Sequence, residues 1–258
     1  MNIDLLTVKF PDDTAVPRLR ELWREAFGDT EEFIDCFFDN AYDKNRTLLI
    51  EDSDGILSVL YWFDCSLDAQ KLAYLYGIAT AKRARGRGLC KKLMQKAHEI
   101  LRERGYFSAV LVPASEGLFG FYERLGYSTC TYIDEFFALP STDLPAEIQQ
   151  IDKAEYASLR KGLLPCFSVI QEGESLDFLG AMGSFYKLGG TILFAYTENG
   201  VLTCREYLGD RSLAGAVLAA LGARSGSFRI PGKEKPFCMH LPLEVGAKAP
   251  EYFGLAFD

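Results

Sequence analysis

Three arginines and two glycines alternate in one short segment, Arg83-Ala-Arg-Gly86-Arg-Gly88, and these residue types could bind an anion. Glycine lets the backbone turn tightly and approach a ligand, and the first N–H groups of a helix lack intrahelical partners. The helix dipole and the arginine side chains add positive charge. The segment therefore predicts a site for a pyrophosphate-like anion. The alternative is a basic, flexible turn that only precedes a helix.

Other glycine-rich phosphate loops do not fit the spacing of this segment. A dinucleotide fingerprint needs a third glycine where the chain has Lys91. A Walker loop needs Gly-Lys-Ser/Thr, which the segment lacks. Between residues 82 and 96 the chain has no acidic residue and seven basic ones: Lys82, Arg83, Arg85, Arg87, Lys91, Lys92 and Lys96. On a chain of net charge −8, this basic island favours a small anionic ligand over nucleic acid or an anionic membrane.

The elements around the segment would hold it in place. Leu72–Ala79 is apolar on both faces, which is typical of a buried central strand, and Gly77 within it is a candidate β-bulge. One apolar stripe predicts a helix over about 88–104, capped by Gly105. The elements predicted after it are a strand at 107–112, a short helix at 118–124 and a strand at 127–139.

Further elements flank this central part. Apolar spacing predicts helices over 16–27 and 31–40, the second with Thr30 as N-cap, and strands follow at 46–51 and 56–64. Pro140–Pro145 is the predicted domain boundary. Beyond it, the sequence predicts a helix capped by Asp152, a hairpin around Asn199-Gly200, a helix at 212–221 and strands at 227–230 and 237–241.

Two landmarks resemble those of the GNAT superfamily of N-acetyltransferases. Arg83-x-x-Gly86-x-Gly88 after an apolar strand is similar to its acetyl-CoA signature, and the run Tyr76-Gly-Ile-Ala-Thr80 resembles its strand and bulge. Phe121-Tyr122-Glu-Arg-Leu-Gly126-Tyr127 is similar to its second landmark. The resemblance implies a mixed-sheet α/β (strictly α+β) fold with splayed central strands. A GNAT acetyltransferase domain would occupy 1–139, and a smaller α+β domain, a degenerate GNAT-like half, would occupy 146–258.

The resemblance also implies a set of acetyl-CoA-binding residues. Backbone amides of the loop and first helical turn would hold the pyrophosphate, with two arginines near the nucleotide phosphates, and the end of the preceding strand would pair with the pantetheine. Many family members have an asparagine after the strand at 107–112, whereas this chain has Pro113-Ala-Ser115, so Ser115 is the predicted substitute. The full set is Ile78, Ala79, Thr80, Arg83, Arg85, Gly86, Arg87, Gly88, Leu89, Cys90 and Ser115.

Tyr122 matches the tyrosine that protonates the departing thiolate in this family, and the alternative is a packing role alone. Such chemistry needs a proton donor within hydrogen-bond reach of the leaving group. The sequence indicates no general base. Asp64, Asp134 and Glu135 lie at strand positions that could face a cleft, although such carboxylates are more often at the surface. Spacing places His98 on the solvated face of its helix, and His240 in an apolar strand fits a core histidine.

Composition restricts the compartment and the metal chemistry. Hydrophobic residues form 48% of the 258 residues, but no run reaches the length of a membrane span, and the first residues do not resemble a signal peptide. The seven cysteines have no CxxC spacing, which argues against a zinc site or a disulfide framework. Cys90 lies on the apolar stripe of its helix. The expected protein is cytoplasmic and free of metal.

The expected reaction is transfer of the acetyl group of acetyl-CoA to an amine of a small molecule or peptide. The alternatives are a non-catalytic acyl-CoA-binding sensor and transfer of a longer acyl group. The tandem arrangement resembles acetyltransferases of the enhanced-intracellular-survival type, in which the terminal carboxylate reaches the active site. The apolar tail that ends at Asp258 is expected to dock, either as a packing element or to deliver that carboxylate.

Overall fold

The computed structural model describes residues 6–142 and 147–257 of the chain. Within these ranges the helices are α1 Val16–Phe27, α2 Glu31–Asn40, α3 Leu89–Glu103, α4 Glu116–Glu123, α5 Lys153–Leu163, α6 Glu174–Met182 and α7 Ala214–Ala220. The strands are β1 Thr47–Asp52, β2 Gly55–Leu67, β3 Gln70–Thr80, β4 Ser108–Leu111, β5 Ser128–Thr129, β6 Tyr132–Ala138, β7 Gln149–Ile151, β8 Ile170–Gln171, β9 Ser184–Leu188, β10 Thr191–Glu198, β11 Val201–Leu208, β12 Ser225–Pro231, β13 Lys235–Pro236 and β14 Met239–Pro242. None of these helices is both long enough and apolar enough to cross a membrane.

The strands form two mixed sheets, which confirms the predicted fold class. One sheet has the order β1-β2-β3-β4-β14-β5, and β3 pairs with β4 in parallel while β1, β2 and β3 are antiparallel. The other has the order β13-β6-β12-β11-β10-β9-β7, with a parallel pair formed by β11 and β12. Each parallel pair is joined through a helix, α3 in the first sheet and α7 in the second.

The sheets belong to two compact units, and each unit is built from separate segments of the chain. The first unit consists of Met1–Leu111, Gly120–Ser128 and His240–Ala249, and the second of Val112–Phe119, Thr129–Met239 and Pro250–Asp258. Strand β6 pairs with β12 of the second sheet, whereas β14, late in the chain, lies beside β4 in the first. Each unit thus combines segments from separate parts of the chain, and the predicted domains 1–139 and 146–258 stay a prediction. Part of the predicted boundary Pro140–Pro145, residues 143–145, lies outside the described residues.

The first unit buries an aromatic core beneath its N-terminal helices. Helices α1 and α2 have the predicted bounds, and the Thr30 side chain accepts a hydrogen bond from the Phe33 N–H at 3.3 Å, which confirms the N-cap. Trp23 of α1 and Phe37 of α2 lie 4.4 Å apart between ring centroids, and both contact Tyr61 of β2. This packing fixes the two helices on the strands that precede the glycine loop.

Both histidines of the chain are buried in the first unit. The prediction that His98 is solvated was wrong, because it lies four residues after Met94 and three before Leu101 and so joins their buried stripe. Its Nε2 hydrogen-bonds the Tyr127 hydroxyl at 2.8 Å. His240 of β14 hydrogen-bonds the Ser108 hydroxyl of β4 at 2.9 Å, which confirms the core interpretation. Burial lowers the pKa of each imidazole to about 4.

Acid should therefore destabilise the protein through these histidines. Between pH 6.5, the ordinary pKa, and about pH 4, the unfolded chain binds protons that the folded protein does not. The free energy of unfolding should fall as the pH drops, by up to about 1.4 kcal/mol per pH unit for each histidine. Urea unfolding at several pH values should show a shallower slope in His98→Gln and His240→Gln than in wild type. Equal slopes in all three proteins would contradict the assignment.

The second unit contains a buried ion pair that also binds the C-terminal segment. Arg160 of α5 donates two hydrogen bonds to Glu206 of β11, at 2.7 and 2.9 Å, and both side chains are at most 2% exposed. The hydroxyls of Tyr156 and Tyr252 donate to the same carboxylate at 2.7 and 3.1 Å. Because Tyr252 begins the apolar tail, this network holds the tail against the body of the unit.

The rest of the tail is buried too, which confirms that it docks. Gln171 Nε2 donates to the Leu255 carbonyl at 2.7 Å, and the Phe257 ring packs on Phe178 with centroids 5.1 Å apart. Tyr252 through Phe257 are all buried. The terminal carboxylate of Asp258, which was predicted to reach the active site in one of the two interpretations, lies outside the described residues.

Replacing Glu206 should strongly destabilise the second unit. Glu206→Gln preserves the shape of the side chain but leaves the Arg160 charge buried without a counter-ion, which costs about 3–5 kcal/mol in comparable pairs. Denaturant unfolding followed by far-ultraviolet circular dichroism would measure the loss in free energy of unfolding. Glu172→Gln is the matched control, because it breaks an exposed pair with Lys161 and should cost less than about 1 kcal/mol. Similar losses in both variants would contradict the prediction.

Candidate active site

Strand β3 carries a bulge and separates from its parallel neighbour. Its register with β2 shifts between Tyr61↔Tyr76 and Val59↔Ala79, so that Gly77 and Ile78 oppose one residue. Gly77 has φ +57, and a Cβ there would lie 2.8 Å from the Tyr61 ring, so the bulge requires glycine. Strand β4 pairs with β3 only over residues 72–74, while β3 continues to Thr80. Beyond residue 74, the described residues provide no strand partner on that edge of β3, where an extended ligand could bind.

The glycine segment forms the turn between β3 and α3. Gly86 and Gly88 have φ +73 and +77, which few side chains adopt, and Gly88 is the N-cap of α3. Open space lies where a Cβ of either glycine would be. The first turn of α3, whose N–H groups have no intrahelical partners, therefore follows an open turn that carries the exposed Arg83 and Arg85. This arrangement fits a pyrophosphate cradle.

The arginines at the start of the turn are bound to other groups of the protein. Arg83 donates to both carboxylate oxygens of Asp52, at 2.9 and 2.8 Å, and these bonds lower the pKa of Asp52 to about 2. Arg85 Nε donates to the Thr80 carbonyl at 3.1 Å, and the Thr80 hydroxyl is 3.0 Å from that of Ser58. The predicted contact of Arg83 and Arg85 with phosphates stays a prediction.

Tyr122 lies in the first unit, near the beginning of α3. It is buried in α4, 7% exposed, with the rings of Phe121 and Tyr127 at 5.2 and 6.0 Å. Burial raises the pKa of Tyr122 above the ordinary tyrosine value, and the hydroxyl is protonated at neutral pH. Burial also raises the pKa of Cys90 to about 11, which leaves a neutral thiol. Leu89 is fully buried and anchors the first turn of α3.

The remaining candidates have local structural roles. Asp64 accepts a hydrogen bond from the Tyr106 hydroxyl. Asp134 accepts from the backbone N–H groups of Lys233 and Glu234, and Glu135 pairs with Lys235. Ser115 is exposed just before α4, where its carbonyl accepts from the Leu118 N–H, and its role at the pantetheine stays a prediction. Over 6–142 and 147–257, no cluster of three or more histidine, cysteine or acidic side chains could hold a metal ion.

A family comparison covers the elements that form this site. Residues 7–130 match the family model described as an acetyltransferase (GNAT) domain, and these residues contain the β3 bulge, the glycine turn, α3 and Tyr122. Residues 7–130 belong to the GNAT superfamily. This part of the chain is therefore an acetyltransferase domain, and the GNAT resemblance of the sequence is confirmed. No curated protein matches the sequence significantly.

Solved structures extend the likeness of fold beyond the GNAT domain. A GCN5-related N-acetyltransferase from Kribbella flavida is 16% identical with a TM-score of 0.72, and the match covers 94% of this chain and 72% of that one. Eis1 from Mycobacterium abscessus is 12% identical with a TM-score of 0.70, covering 93% and 75%. A GCN5-related N-acetyltransferase from Sphaerobacter thermophilus is 13% identical with a TM-score of 0.56, covering 98% of both chains. At these identities the similarity concerns the fold.

Proposed function

We propose that the protein transfers the acetyl group of acetyl-CoA to an amine of a small molecule or peptide. The observation that carries the proposal is the convergence in one unit of the β3 bulge, a glycine turn open to an anion and a buried, protonated Tyr122. Each of these features has a separate task in acyl transfer from a thioester. Their common membership in a GNAT domain supports assigning those tasks together.

The proposed acetyl-CoA site runs from β3 to the first turn of α3. Amides of Gly86, Arg87, Gly88 and Leu89 would bind the pyrophosphate, since both glycines leave open space in front of them. The free edge of β3 at Ile78, Ala79 and Thr80 would pair with the pantetheine amides. The Ser58 hydroxyl donates to the Ala79 carbonyl at 2.9 Å, so this carbonyl is already occupied, and N–H groups on the β4 side are the proposed donors to the pantetheine.

In the proposed reaction, a neutral amine attacks the thioester carbonyl directly. A bond forms from nitrogen to the acetyl carbon, and the bond from that carbon to sulfur breaks. An amide near the bulge would polarise the carbonyl oxygen, and the Tyr122 hydroxyl would give its proton to the departing thiolate. The attacking nitrogen would lose one proton to solvent, and solvent would return a proton to the Tyr122 oxygen, so that the products are the acetylated amine and the free CoA thiol. A tyrosine hydroxyl is protonated at neutral pH and burial raises the pKa of Tyr122 further, so a proton is present for this step.

We also propose that the second half is a degenerate GNAT-like half without a CoA site. The order β9, β10, β11, α7, β12 repeats the order β1, β2, β3, α3, β4, including the parallel pair around the helix. At the position of the glycine turn, however, the Asp210 carboxylate accepts from the Ser212 N–H at 2.9 Å. The carboxylate of Asp210 would repel a phosphate, and it already occupies a backbone N–H group that a phosphate would need.

Thiol release would test the proposal. The protein is incubated with acetyl-CoA and a panel of amines, free CoA is measured against a control without amine, and acetylated products are identified by mass spectrometry. The expected result is amine-dependent thiol release with a mass increase of one acetyl group on the amine. Binding of acetyl-CoA without release of CoA for any amine would instead favour a non-catalytic sensor. Release of CoA only from longer acyl-CoA donors would show that the transferred group is not acetyl.

A further inference from the structure

Two carboxylates from earlier elements hold the start of the glycine turn. Glu25 of α1 accepts a hydrogen bond from the Lys82 N–H at 2.5 Å. Asp52, the last residue of β1, accepts from both terminal nitrogens of Arg83 at 2.9 and 2.8 Å. One contact fixes the backbone at residue 82 and the other fixes the next side chain. The chain is thus fastened at the point where it leaves β3 and turns towards α3.

We propose that Asp52 is a positioning residue for acetyl-CoA binding, acting through Arg83, which serves as the anchor of the turn instead of as a phosphate ligand. This inference rests on the proposed function, since it assumes that the turn binds the pyrophosphate. It also gives Arg83 a different role from the one that the family resemblance implied.

The geometry of the pair supports an anchor. Parallel hydrogen bonds between a guanidinium and a carboxylate define orientation as well as attraction. The Asp52 side chain is only 9% exposed, and its Oδ1 also accepts from the Asp54 N–H at 3.0 Å, so the carboxylate is fixed by its own hairpin. A phosphate that recruited Arg83 would have to replace these two bonds.

The position of the pair explains why anchoring would matter for binding. Gly86 and Gly88 follow within five residues, and glycine loses more backbone freedom on ordering than any other residue. Ordering such a turn only when the ligand arrives would reduce affinity, whereas a turn that is already held keeps that free energy for binding. Arg85, through its bond to the Thr80 carbonyl, adds a second, local restraint.

A double-mutant cycle separates the anchor from a phosphate ligand. Asp52→Asn, Arg83→Gln and the double variant are compared with wild type by calorimetric titration with acetyl-CoA. Each single variant should bind about five- to tenfold more weakly, and the double variant no more weakly than the worse single one, because both break one contact. If Arg83 contacts phosphate directly, Asp52→Asn should bind as well as wild type or more tightly, and that result would overturn the proposal.

Control variants and kinetics exclude a general loss of structure. Lys44→Gln and Asp13→Asn remove an exposed pair of 2.6 Å in the same unit with the same changes of charge, and should bind acetyl-CoA as wild type does. The KM for acetyl-CoA should rise in Asp52→Asn, with kcat and the KM for the amine within about twofold of wild type. Asp52→Glu should bind acetyl-CoA more tightly than Asp52→Asn. Arg83→Lys should bind it no more tightly than Arg83→Gln, since lysine lacks the planar guanidinium that bonds both carboxylate oxygens.

Amide hydrogen exchange without ligand keeps this inference distinct from the proposed function. Exchange at residues 86–89 should be faster in Asp52→Asn and Arg83→Gln than in wild type and the Lys44 control. Wild-type protein that does not bind acetyl-CoA would refute the proposed function. The exchange data would still test whether the Asp52–Arg83 contact orders the turn. Unchanged exchange in both variants would overturn the anchor whatever the protein binds.

Discussion

Gly88→Glu is expected to weaken acetyl-CoA binding by at least about 2 kcal/mol, or roughly thirtyfold. Gly88 is the N-cap of α3 with φ +77, and the space in front of it is open. A glutamate there would place bulk and negative charge before the amides proposed to bind the pyrophosphate, and would strain the left-handed backbone. Calorimetric titration of the folded variant measures the effect.

Gly105→Glu is the matched control for this variant. Gly105 follows the other end of α3, also has φ +77 and also has open space where a Cβ would lie. The substitution therefore introduces a similar backbone strain and the same charge away from the turn. Its affinity for acetyl-CoA should stay near that of wild type. Equal affinities in Gly88→Glu, Gly105→Glu and wild type would remove the glycine turn from the proposed site.

Tyr122→Phe should lower kcat by roughly 100-fold or more while the affinity for acetyl-CoA stays near that of wild type. The change removes only the hydroxyl and preserves the ring that packs on Phe121 and Tyr127. Without a proton donor, the thiolate must leave unprotonated or take its proton from water. Steady-state kinetics with the best amine from the panel, together with titration of acetyl-CoA, would measure both quantities.

Tyr127→Phe is the matched control, because it removes the hydroxyl of a neighbouring tyrosine that has a structural role. The Tyr127 hydroxyl bonds His98, so its removal should cost about 1–3 kcal/mol of stability with little effect on kcat below the unfolding temperature. The pair of variants should thus separate catalysis from packing. If Tyr122→Phe turns over as fast as wild type, Tyr122 has only the packing role.

The sequence predicts local structure best where a single periodicity and a cap agree. Helices α1 and α2 lie at their predicted bounds, and the hairpin at Asn199-Gly200 has both residues at positive φ as its turn type requires. Helix α6 and strand β9 were not predicted. The sequence of α6, ESLDFLGAM, has no clear apolar stripe because the helix is buried on several sides. His98 was misplaced because its spacing fits both faces of α3.

The parts of the candidate site that are contiguous in sequence could be predicted, and the distant contacts could not. The bulge at Gly77, the turn at Gly86 and Gly88 and the helix after it follow from residue types over about 30 positions. The partner of Arg83, in contrast, is 31 residues away in a hairpin whose acidic turn looks like any solvated loop. No local pattern distinguishes Asp52 from its neighbour Asp54. Pairings between distant strands, such as β4 with β14, escape sequence reasoning for the same reason.

The late position of β14 in the chain has a consequence for synthesis on the ribosome. Strand β4 has β14 as its outer neighbour, and about 130 residues of chain separate them. At about 5–20 residues per second, the edge of β4 stays unpaired for roughly 7–26 s after it is made. During that interval the edge of β4, Ser108–Leu111, is exposed although all four residues are buried in the folded protein, and other chains could pair with it. Slow translation or a chaperone that covers this edge should therefore affect the yield of folded protein more than its final stability.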